Sequence, residues 1–327
     1  MRFTPSPMTA EAEPPDPVEL RPPDLEPYRA GNTGVEFVTS LDSGRPGPHA
    51  MLTAIVHGNE LCGAIALDHL LRHGIGPIAG RLTFAFANVD AFARFDAGAP
   101  ARSRYVDEDF NRLWSPAVLD GPRRSRELDR ARRLRPIVDT VDFLLDIHSM
   151  QHRTEPLLLA GPLEKGRRLA RAIGFPAVVI CDAGHAAGRR LRDYGAFADP
   201  ASPRNALLVE CGQHWERRSA DVAIDAALRF LLHLGMIDAA TAAPHLRLPM
   251  PARQRVVEVT KAVTVRTNRF RFVAPYRGLE VIAKAGTPVA EDGGRPVVTP
   301  HDDCVLVMPS RRVLRGQTAV RFGRFVD

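Results

Sequence analysis

The chain is poor in cysteine and lysine, and it has no apolar run long enough to cross a bilayer. Its four cysteines, Cys62, Cys181, Cys211 and Cys304, are far apart and never form a CxxC pair. This spacing disfavours a disulfide framework or a cysteine zinc site and favours reduced, buried thiols. No uncharged apolar run approaches the roughly 18 to 20 residues of a membrane span, and the first twenty residues lack the apolar segment of a secretory signal. We therefore expect a cytoplasmic protein without a membrane partner.

Positive charge is in modest excess, with 44 basic against 38 acidic residues and a net charge of +6. A basic chain raises the hypothesis of nucleic-acid binding. The arginines are dispersed among acids, however, and residues 121–139 predict a solvated helix face with i,i+4 ion pairs. No zinc finger or aromatic-interleaved basic segment is present. We expect no nucleic-acid partner, and a small anionic substrate explains a few of the arginines.

Short apolar runs alternate with longer helical patterns between about residues 31 and 245. This alternation is typical of an α/β sheet covered by helices. The periodicity predicts strands at 49–56, 80–88, 140–149 and 205–211, and helices at 60–73, with a stop at Gly74, and at 218–235.

Two flanking regions differ in composition from this centre. Residues 1–30 are rich in proline and glutamate and predict a loosely ordered lead-in. After the linker "APHLRLPMPARQ", short β-type runs separated by Gly, Pro and Asp fill residues 250–327. We expect a small β-rich C-terminal domain there, following a catalytic domain at 31–245.

Three candidate metal ligands stand where predicted strands end. His57 follows the strand of "TAIVHGNELCG", and Glu60 opens the next helix. Ligands of α/β sheets bind at the carboxyl ends of strands. His148, which ends "TVDFLLDIHS", would complete a set of two histidines and one glutamate that leaves a fourth zinc position open to water. Asp146 lies on the same strand face and could orient His148. The alternatives are an ordinary helix-start glutamate and a structural histidine.

Two further segments carry candidate catalytic and binding groups. Glu210 ends the apolar strand "NALLVEC", where a carboxylate is costly without a partner or a task. It could act as a general base beside zinc, or it could simply face solvent. In "RSRYVDEDFNRLW", Arg104, Asn111 and Arg112 could bind a carboxylate and stabilise an oxyanion, or they could form a charged loop.

Together these segments resemble the succinylglutamate desuccinylase/aspartoacylase family, zinc amidohydrolases related to the metallocarboxypeptidases. The family motif HGNE stands at residues 57–60, and RYxDxDxNR stands at 104–112. A D-x-H strand end occupies 146–148, and Val-Glu followed by glycine occupies 209–212. Order and approximate spacing agree from residue 35 to residue 212, and the β-rich C-terminal region also fits.

The resemblance implies a carboxypeptidase-like fold, in which helices flank a mixed α/β sheet and a small, mainly β domain follows. It also implies one zinc ion per chain, bound by His57, Glu60 and His148, with water in the open position.

The same resemblance implies an activity, the hydrolysis of a small, anionic N-acyl amino acid or related amide. Glu210 would act as general base and then as general acid. Arg104 would polarise the scissile carbonyl, and Asn111 and Arg112 would hold a substrate carboxylate.

Departures from the family concern the substrate pocket. The arginine that aspartoacylase carries about ten residues before the catalytic glutamate is replaced by Pro200, and Arg204 stands only six before it. "ECGQHWERR" stands in place of "EVGPQPQG", and the C-terminal tyrosine pair has no match. N-acetylaspartate and succinylglutamate are therefore disfavoured as substrates. Tyr194 and residues 189–192 could form a lid or contact substrate, or form an ordinary loop.

Two alternatives for the function stay open at this point. A metallocarboxypeptidase acting on peptide C-termini would share the zinc ligands, the Asn-Arg pair and the glutamate. A non-catalytic nucleic-acid-binding protein would use the basic surface and would show salt-sensitive binding. The sequence also leaves the formation of a homo-oligomer open.

Overall fold

The centre of the molecule is a mixed sheet of eleven strands, as seen in a computed structural model that describes residues 16–185 and 187–326. Within those residues the strands are β1 (Val38–Asp42), β2 (His49–Ala54), β3 (Arg81–Phe86), β4 (Phe143–Met150), β5 (Leu157–Leu159), β6 (Val178–Cys181), β7 (Asn205–Gln213), β8 (Arg255–Thr264), β9 (Phe270–Phe272), β10 (Val281–Ile282), β11 (Pro288–Asp292), β12 (Arg295–Val298), β13 (Cys304–Val307) and β14 (Thr318–Phe325). The α-helices are α1 (Leu61–Arg72), α2 (Val89–Phe92), α3 (Pro116–Leu119), α4 (Arg126–Val138), α5 (Glu164–Ile173), α6 (Arg217–His233) and α7 (Ala239–Ala242).

Parallel strands form the middle of this sheet. Its order is β1-β3-β2-β4-β7-β5-β6-β8-β14-β13-β10. Strand β2 runs parallel to β3 and β4, and β4 runs parallel to β7. These strands are almost wholly buried, as expected for parallel strands covered on both faces. The carboxyl ends of β2, β4 and β7 therefore lie together at one edge of the sheet.

Helices cover both faces of the sheet, as predicted. Alternate side chains of β2 point to opposite faces. Leu52 belongs to a core cluster with residues of α1, α5 and α6, whereas Met51 belongs to a separate cluster with residues of α4. Helix α1 ends where Gly74 adopts a left-handed backbone with φ of +65°, which agrees with the predicted stop. The predicted α/β fold is confirmed.

The C-terminal strands extend the central sheet. Strand β8 pairs in parallel with β6, and β14, β13 and β10 follow in antiparallel order. Strands β12, β11 and β9 form a separate three-stranded sheet. This region has its own apolar cluster, which includes Val289 and Phe322. A small C-terminal β region is thus present, while the domain boundaries at 31–245 and 250–327 stay predictions.

The expectations of a loosely ordered lead-in and of no membrane span can be compared only with the described residues. Half of the predicted lead-in at 1–30, residues 1–15, lies outside the described residues. Residues 16–30 contain a single regular element, the short 3₁₀ helix Glu26–Tyr28. Across 16–185 and 187–326, no helix is long and apolar enough to cross a membrane.

Helix α4 corrects the expectation of a simple solvated face at 121–139. One side of the helix does carry ion pairs, such as Arg135 with Asp139 at 3.9 Å. The other side packs Leu128 and Leu134 into the core, and it also buries Glu127 completely. The charge pattern alone did not reveal Glu127, whose carboxylate has partners in a distant loop.

Candidate metal centre and active site

Three side chains from two strand ends converge at the edge of the sheet. One ligand atom from each of His57, Glu60 and His148 lies within 4.8 Å of the other two, and all three residues are buried. His57 Nδ1 is 2.7 Å from Glu60 Oε1, and His148 Nδ1 is 2.8 Å from Glu60 Oε2. The predicted ligands, remote in sequence, are thus brought together.

The turn that carries His57 and Glu60 requires its glycine because the neighbouring backbone is very close. A Cβ atom at Gly58 would lie 2.4 Å from the carbonyl carbon of Ala91 and 2.5 Å from the carbonyl oxygen of Ser103. The Gly58 amide donates to the carbonyl oxygen of Arg104 at 3.0 Å. The turn therefore places Glu60 at the start of α1 and also joins the segment that carries Arg104.

Each histidine of the trio has a carboxylate on its far ring nitrogen. His148 Nε2 lies 2.9 Å from Asp146 Oδ2, and Asp146 Oδ1 accepts a hydrogen bond from Thr53 Oγ1 at 2.6 Å. His57 Nε2 lies 3.0 Å from Asp109 Oδ1. Such outer carboxylates fix the ring orientation of metal-binding histidines. Asp146 thus stands where the sequence placed it, whereas the contact of Asp109 was not foreseen.

The charged groups of the trio and its neighbours shift one another's pKa values. Burial would lower the pKa of His148, but the negative charges of Asp146 and Glu60 outweigh it and raise this pKa well above its usual value. Burial would likewise raise the pKa of Glu60, but the two imidazoles lower it well below its usual value. Two imidazole nitrogens and a carboxylate are a donor set that suits zinc. The residues therefore fit the metal that the resemblance implies.

Glu210 is the unpartnered carboxylate of the site. It lies on β7 directly opposite His148 of β4, so both side chains point to the same face. The residue is buried, and its Oε2 atom has no hydrogen-bond partner among the described residues. Burial raises the pKa of Glu210 well above its usual value. A buried carboxyl oxygen without a partner is unusual and requires a ligand, a proton or a task.

Arg104 lies against the trio. Its Nη1 donates to Glu60 Oε1 at 3.3 Å, and its Nη2 donates to Asp109 Oδ2 at 3.3 Å. Burial would lower the pKa of Arg104, but the charges of Asp109 and Glu60 outweigh it and raise this pKa. The guanidinium group is therefore a fixed positive charge beside the candidate ligands.

Helix α4 holds the loop that carries Arg104. The buried Glu127 carboxylate accepts hydrogen bonds from the backbone amides of Val106, Asp107 and Glu108, at 2.6, 3.0 and 3.3 Å. It also accepts one from Asn88 Nδ2 at 3.1 Å. One buried side chain thus supplies hydrogen-bond acceptors for three backbone amides of the loop, and these amides satisfy the buried carboxylate in return.

Asn111 and Arg112 line a cavity that lies above the trio. Asn111 is buried; its Oδ1 accepts a hydrogen bond from the Leu191 amide at 2.7 Å, and its Nδ2 lies 3.4 Å from His148 Nε2. Arg112 Nη1 donates to the Asn111 carbonyl oxygen at 2.7 Å. Burial lowers the pKa of Arg112. Arg112 is the more exposed of the two, and its Nη2 lies 3.8 Å from Asp109 Oδ2.

The cavity above the trio has a volume of about 310 Å³ and is rich in arginine. Its lining includes the seven residues to which the sequence analysis assigned a metal, catalytic or substrate-binding role, namely His57, Glu60, Arg104, Asn111, Arg112, His148 and Glu210. Among the residues that the structure describes, seven arginines contribute to it: Arg102, Arg104, Arg112, Arg190, Arg277, Arg312 and Arg321. The described carboxylates that line it are fewer, namely Glu60, Asp109 and Glu210. Such a cavity favours an anionic ligand.

Sequence reasoning missed the arginines of the C-terminal region and His185. Arg321 is buried, and its Nη2 lies 2.9 Å from His185 Nδ1. Its Nε lies 3.2 Å from Asp182 Oδ2. A signal was present, because Arg321 interrupts the apolar strand "TAVRFGRF", where a buried charge needs a partner.

Tyr194, which was considered as a substrate contact, and Arg204, which stands near the position of the family's arginine, have structural partners outside the cavity. Tyr194 and Arg204 are not among the described residues that line the cavity. The buried Tyr194 donates its hydroxyl hydrogen to Asp139 Oδ1 at 2.8 Å, and Arg204 Nη1 donates to the Asp139 carbonyl oxygen at 2.5 Å. Arg190, in contrast, does line the cavity, and it is held by Asp182 at 2.8 Å.

The fold is a helix-flanked mixed α/β sheet with a small C-terminal β region, and comparison with known families is more specific. The family model of the succinylglutamate desuccinylase/aspartoacylase catalytic domain matches residues 46–234. The chain belongs to this family, whose members are amidohydrolases that remove acyl groups from amino acids. The family membership predicted from the four motifs is thus confirmed.

Solved structures of other proteins share the fold. The chain is similar to succinylglutamate desuccinylase from Vibrio cholerae, with a TM-score of 0.68 at 19% identity over 89% of each chain. It is also similar to the ectoine utilization protein EutE (DoeB) from Ruegeria pomeroyi, with a TM-score of 0.62 at 17% identity over 89% of each chain. Murine aminoacylase 3 matches with a TM-score of 0.57 at 18% identity, over 86% of this chain and 96% of the other. A comparison with curated protein sequences finds no match.

Proposed function

We propose that the chain is a zinc-dependent deacylase that hydrolyses the amide bond of a small, anionic N-acyl amino acid. The observation that carries this proposal is the convergence of His57, Glu60 and His148 beneath a cavity into which the unpartnered carboxyl of Glu210 also faces. Family membership supports the reaction class, and the donor set supports the metal.

The proposed metal of the active site is a single zinc ion, held by His57, Glu60 and His148. Zinc bound there supplies Lewis-acid chemistry, in that it polarises a carbonyl and lowers the pKa of water. Asp146 and Asp109 keep the two imidazole rings in place through their far nitrogens.

Glu210 is the proposed general base and then the general acid. Its raised pKa brings it nearer to the range in which a carboxyl group both accepts and returns a proton close to neutral pH. It would take a proton from the attacking water and deliver it to the leaving nitrogen. Arg104 would donate hydrogen bonds to the oxygen on which negative charge develops.

Asn111 and Arg112 are the proposed binding groups for a carboxylate of the substrate. A guanidinium group and an amide suit a carboxylate because they offer several directed donors. The other arginines of the cavity support a second negative charge on the substrate. A volume of about 310 Å³ lies at the small end of ligand pockets and supports a small molecule.

The proposed location is the cytoplasm. All four cysteines are free and buried in the structure. Unpaired thiols are typical of proteins that stay in a reducing compartment.

A panel of N-acyl amino acids, offered to the zinc-loaded chain, tests the proposal. The panel varies the acyl group and includes acidic amino acids, and peptides with free C-termini form a second arm. We expect at least one N-acyl amino acid to be hydrolysed, and this activity to be lost in Glu210→Gln. Arg315→Gln, at an exposed arginine outside the cavity, is the matched control and should keep it.

Two results would contradict the proposal. Cleavage of peptides alone would identify a metallocarboxypeptidase. Salt-sensitive binding of nucleic acid, without zinc dependence and without hydrolysis of any substrate in the panel, would favour the non-catalytic alternative.

A further inference from the structure

Three histidines meet at the C-terminal end of α1, away from the active site. One ring nitrogen from each of His69, His73 and His245 lies within 4.8 Å of the other two. His69 Nε2 is 3.1 Å from His245 Nδ1. The three pairs of ring centroids are separated by 4.2, 5.0 and 4.7 Å. Since α1 begins directly after Glu60 and extends about 18 Å, this histidine cluster is distinct from the zinc site proposed above.

Rigid elements hold the cluster together. His69 and His73 are four residues apart at the end of α1 and therefore lie on the same helix face. His245 ends a short 3₁₀ helix, Ala243–His245, which follows α7. The two elements are far apart in the chain; α1 packs against α6, and the backbone just after the 3₁₀ helix is hydrogen-bonded to Asp225 of α6.

A buried carboxylate fixes the segment that carries His245. Asp225 of α6 accepts hydrogen bonds from the backbone amides of Arg247 at 2.8 Å and Leu248 at 3.2 Å. The side chain of Asp225 is fully buried, and α6 packs against α1 in the main apolar core. The three imidazoles are thus positioned before any ligand binds.

The hydrogen bond of the His73 ring leaves a lone pair for a metal, and a bound ion would replace the ring-to-ring hydrogen bond between His69 and His245. His73 Nδ1 lies 2.8 Å from the carbonyl oxygen of His69, which can only accept, so Nδ1 carries the hydrogen. In the neutral ring the lone pair is then on Nε2. A histidine that donates its other nitrogen to a backbone carbonyl is a common arrangement among metal ligands.

The surroundings make the ligand set purely imidazole. The neighbouring carboxylate, Asp68, already accepts from the Tyr28 hydroxyl at 2.7 Å and from Arg72 Nε at 2.7 Å. The C-terminal end of a helix carries partial negative charge, which favours a cation there. Three neutral imidazoles with an open fourth position are a known set for zinc and are favoured by related transition-metal ions.

We propose that His69, His73 and His245 form a second transition-metal site, suited to Zn²⁺, which ties the end of α1 to the segment at 243–248. This site is independent of the proposed deacylase activity.

Zinc stoichiometry measures this site directly, with Zn²⁺ alone as the probe. The metal-free full chain is equilibrated with excess Zn²⁺ at neutral pH, separated from loosely bound metal by gel filtration, and analysed for zinc per chain by mass spectrometry. We expect His73→Gln and His245→Gln each to bind one equivalent less than the unchanged chain. His233→Gln, at an exposed histidine that ends α6 outside the cluster, should bind as much as the unchanged chain.

The comparison separates this proposal from the proposed function. If the active site held no zinc, all counts would fall by the same amount and the difference of one equivalent would remain. Equal zinc content in the unchanged chain, His73→Gln and His245→Gln would overturn the second site. Two variants are used because His73 is exposed and His245 is half-buried, and circular dichroism confirms that each is folded.

Discussion

The cavity has a floor and a rim that come from different parts of the chain. The floor is the set His57, Glu60, His148 and Glu210. The first two lie in the turn after β2, and the other two lie near the carboxyl ends of β4 and β7. The rim is the set Arg277, Arg312 and Arg321, all from the C-terminal β region. The family model ends at residue 234 and so covers the floor but not the rim.

This difference suggests that the floor and the rim contribute to different steps of the proposed function. The floor is held by buried parallel strands and by the carboxylates of Asp146 and Asp109, which contact its two imidazoles, and under the proposed function it carries out the reaction. The three rim residues are all positively charged and two of them are exposed, so under the proposed function they would select the charge of the ligand. Changes in the floor should therefore act on turnover and metal binding, and changes in the rim should act on substrate affinity.

Removal of the carboxylate at Glu210 should have the largest effect. Glu210→Gln keeps the shape of the side chain but cannot accept the proton, so kcat should fall by a factor on the order of 10² to 10⁴. Zinc content and KM should change little. Steady-state kinetics and metal analysis measure this, with Glu164→Gln at an exposed helix position as the control. Turnover of Glu210→Gln at the unchanged rate would refute the role of Glu210.

Loss of charge at Arg112 should act on affinity more than on turnover. A charge-assisted hydrogen bond contributes about 1.5 to 3 kcal/mol, so Arg112→Gln should raise KM by roughly 10- to 150-fold. Arg315→Gln serves again as the control. An equal fall in kcat with unchanged KM would place Arg112 in the reaction and not in substrate binding.

A substitution behind the floor should lower the affinity for zinc without removing a substrate contact. Asp146→Asn removes the charge that holds His148 Nε2. Zinc affinity should fall by about 10- to 100-fold, as measured by competition with a chelator. Unchanged zinc affinity would show that Asp146 is only a buried strand residue.

A change in the exposed rim should have a small, salt-dependent effect. Arg312 lines the cavity but is exposed to solvent. Exposed ion pairs contribute about 0.2 to 1 kcal/mol, so Arg312→Gln should raise KM by a few-fold at low salt, and less at high salt because of screening. A fall in kcat with unchanged KM would contradict the distinction between floor and rim.

The smallest effect on catalysis is expected at Tyr194. Tyr194→Phe removes hydrogen bonds to Asp139 and Arg135, at 2.8 and 3.0 Å, outside the cavity. It should lower the free energy of unfolding by about 0.5 to 1.5 kcal/mol, measured by urea denaturation, while kcat and KM stay unchanged. A clear change in KM would restore Tyr194 as a substrate contact.

Local signals in the sequence were sufficient for the floor. Apolar runs that end in His57, His148 or Glu210 combine a strand prediction with a polar group at its carboxyl end. Four ordered motifs then predicted the family and the fold. The metal, the roles of the site residues, the anionic substrate and the cytoplasmic location stay predictions.

Features that depend on long-range contacts were not predictable in this way. Glu127 looks like one more charge on a solvated helix, and only the fold brings it to the amides of residues 106–108. Arg321 reaches the cavity because β14 joins the central sheet through β8. His245 lies against α1 because Asp225 of α6 binds the backbone of Arg247, two residues further along the chain.

Anomalous X-ray diffraction at the zinc edge, from crystals of the zinc-loaded chain, tests the central claim most directly. We predict a strong anomalous peak in contact with His57, Glu60 and His148, on the side that faces Glu210. A map in which these three side chains contact no peak would contradict the account.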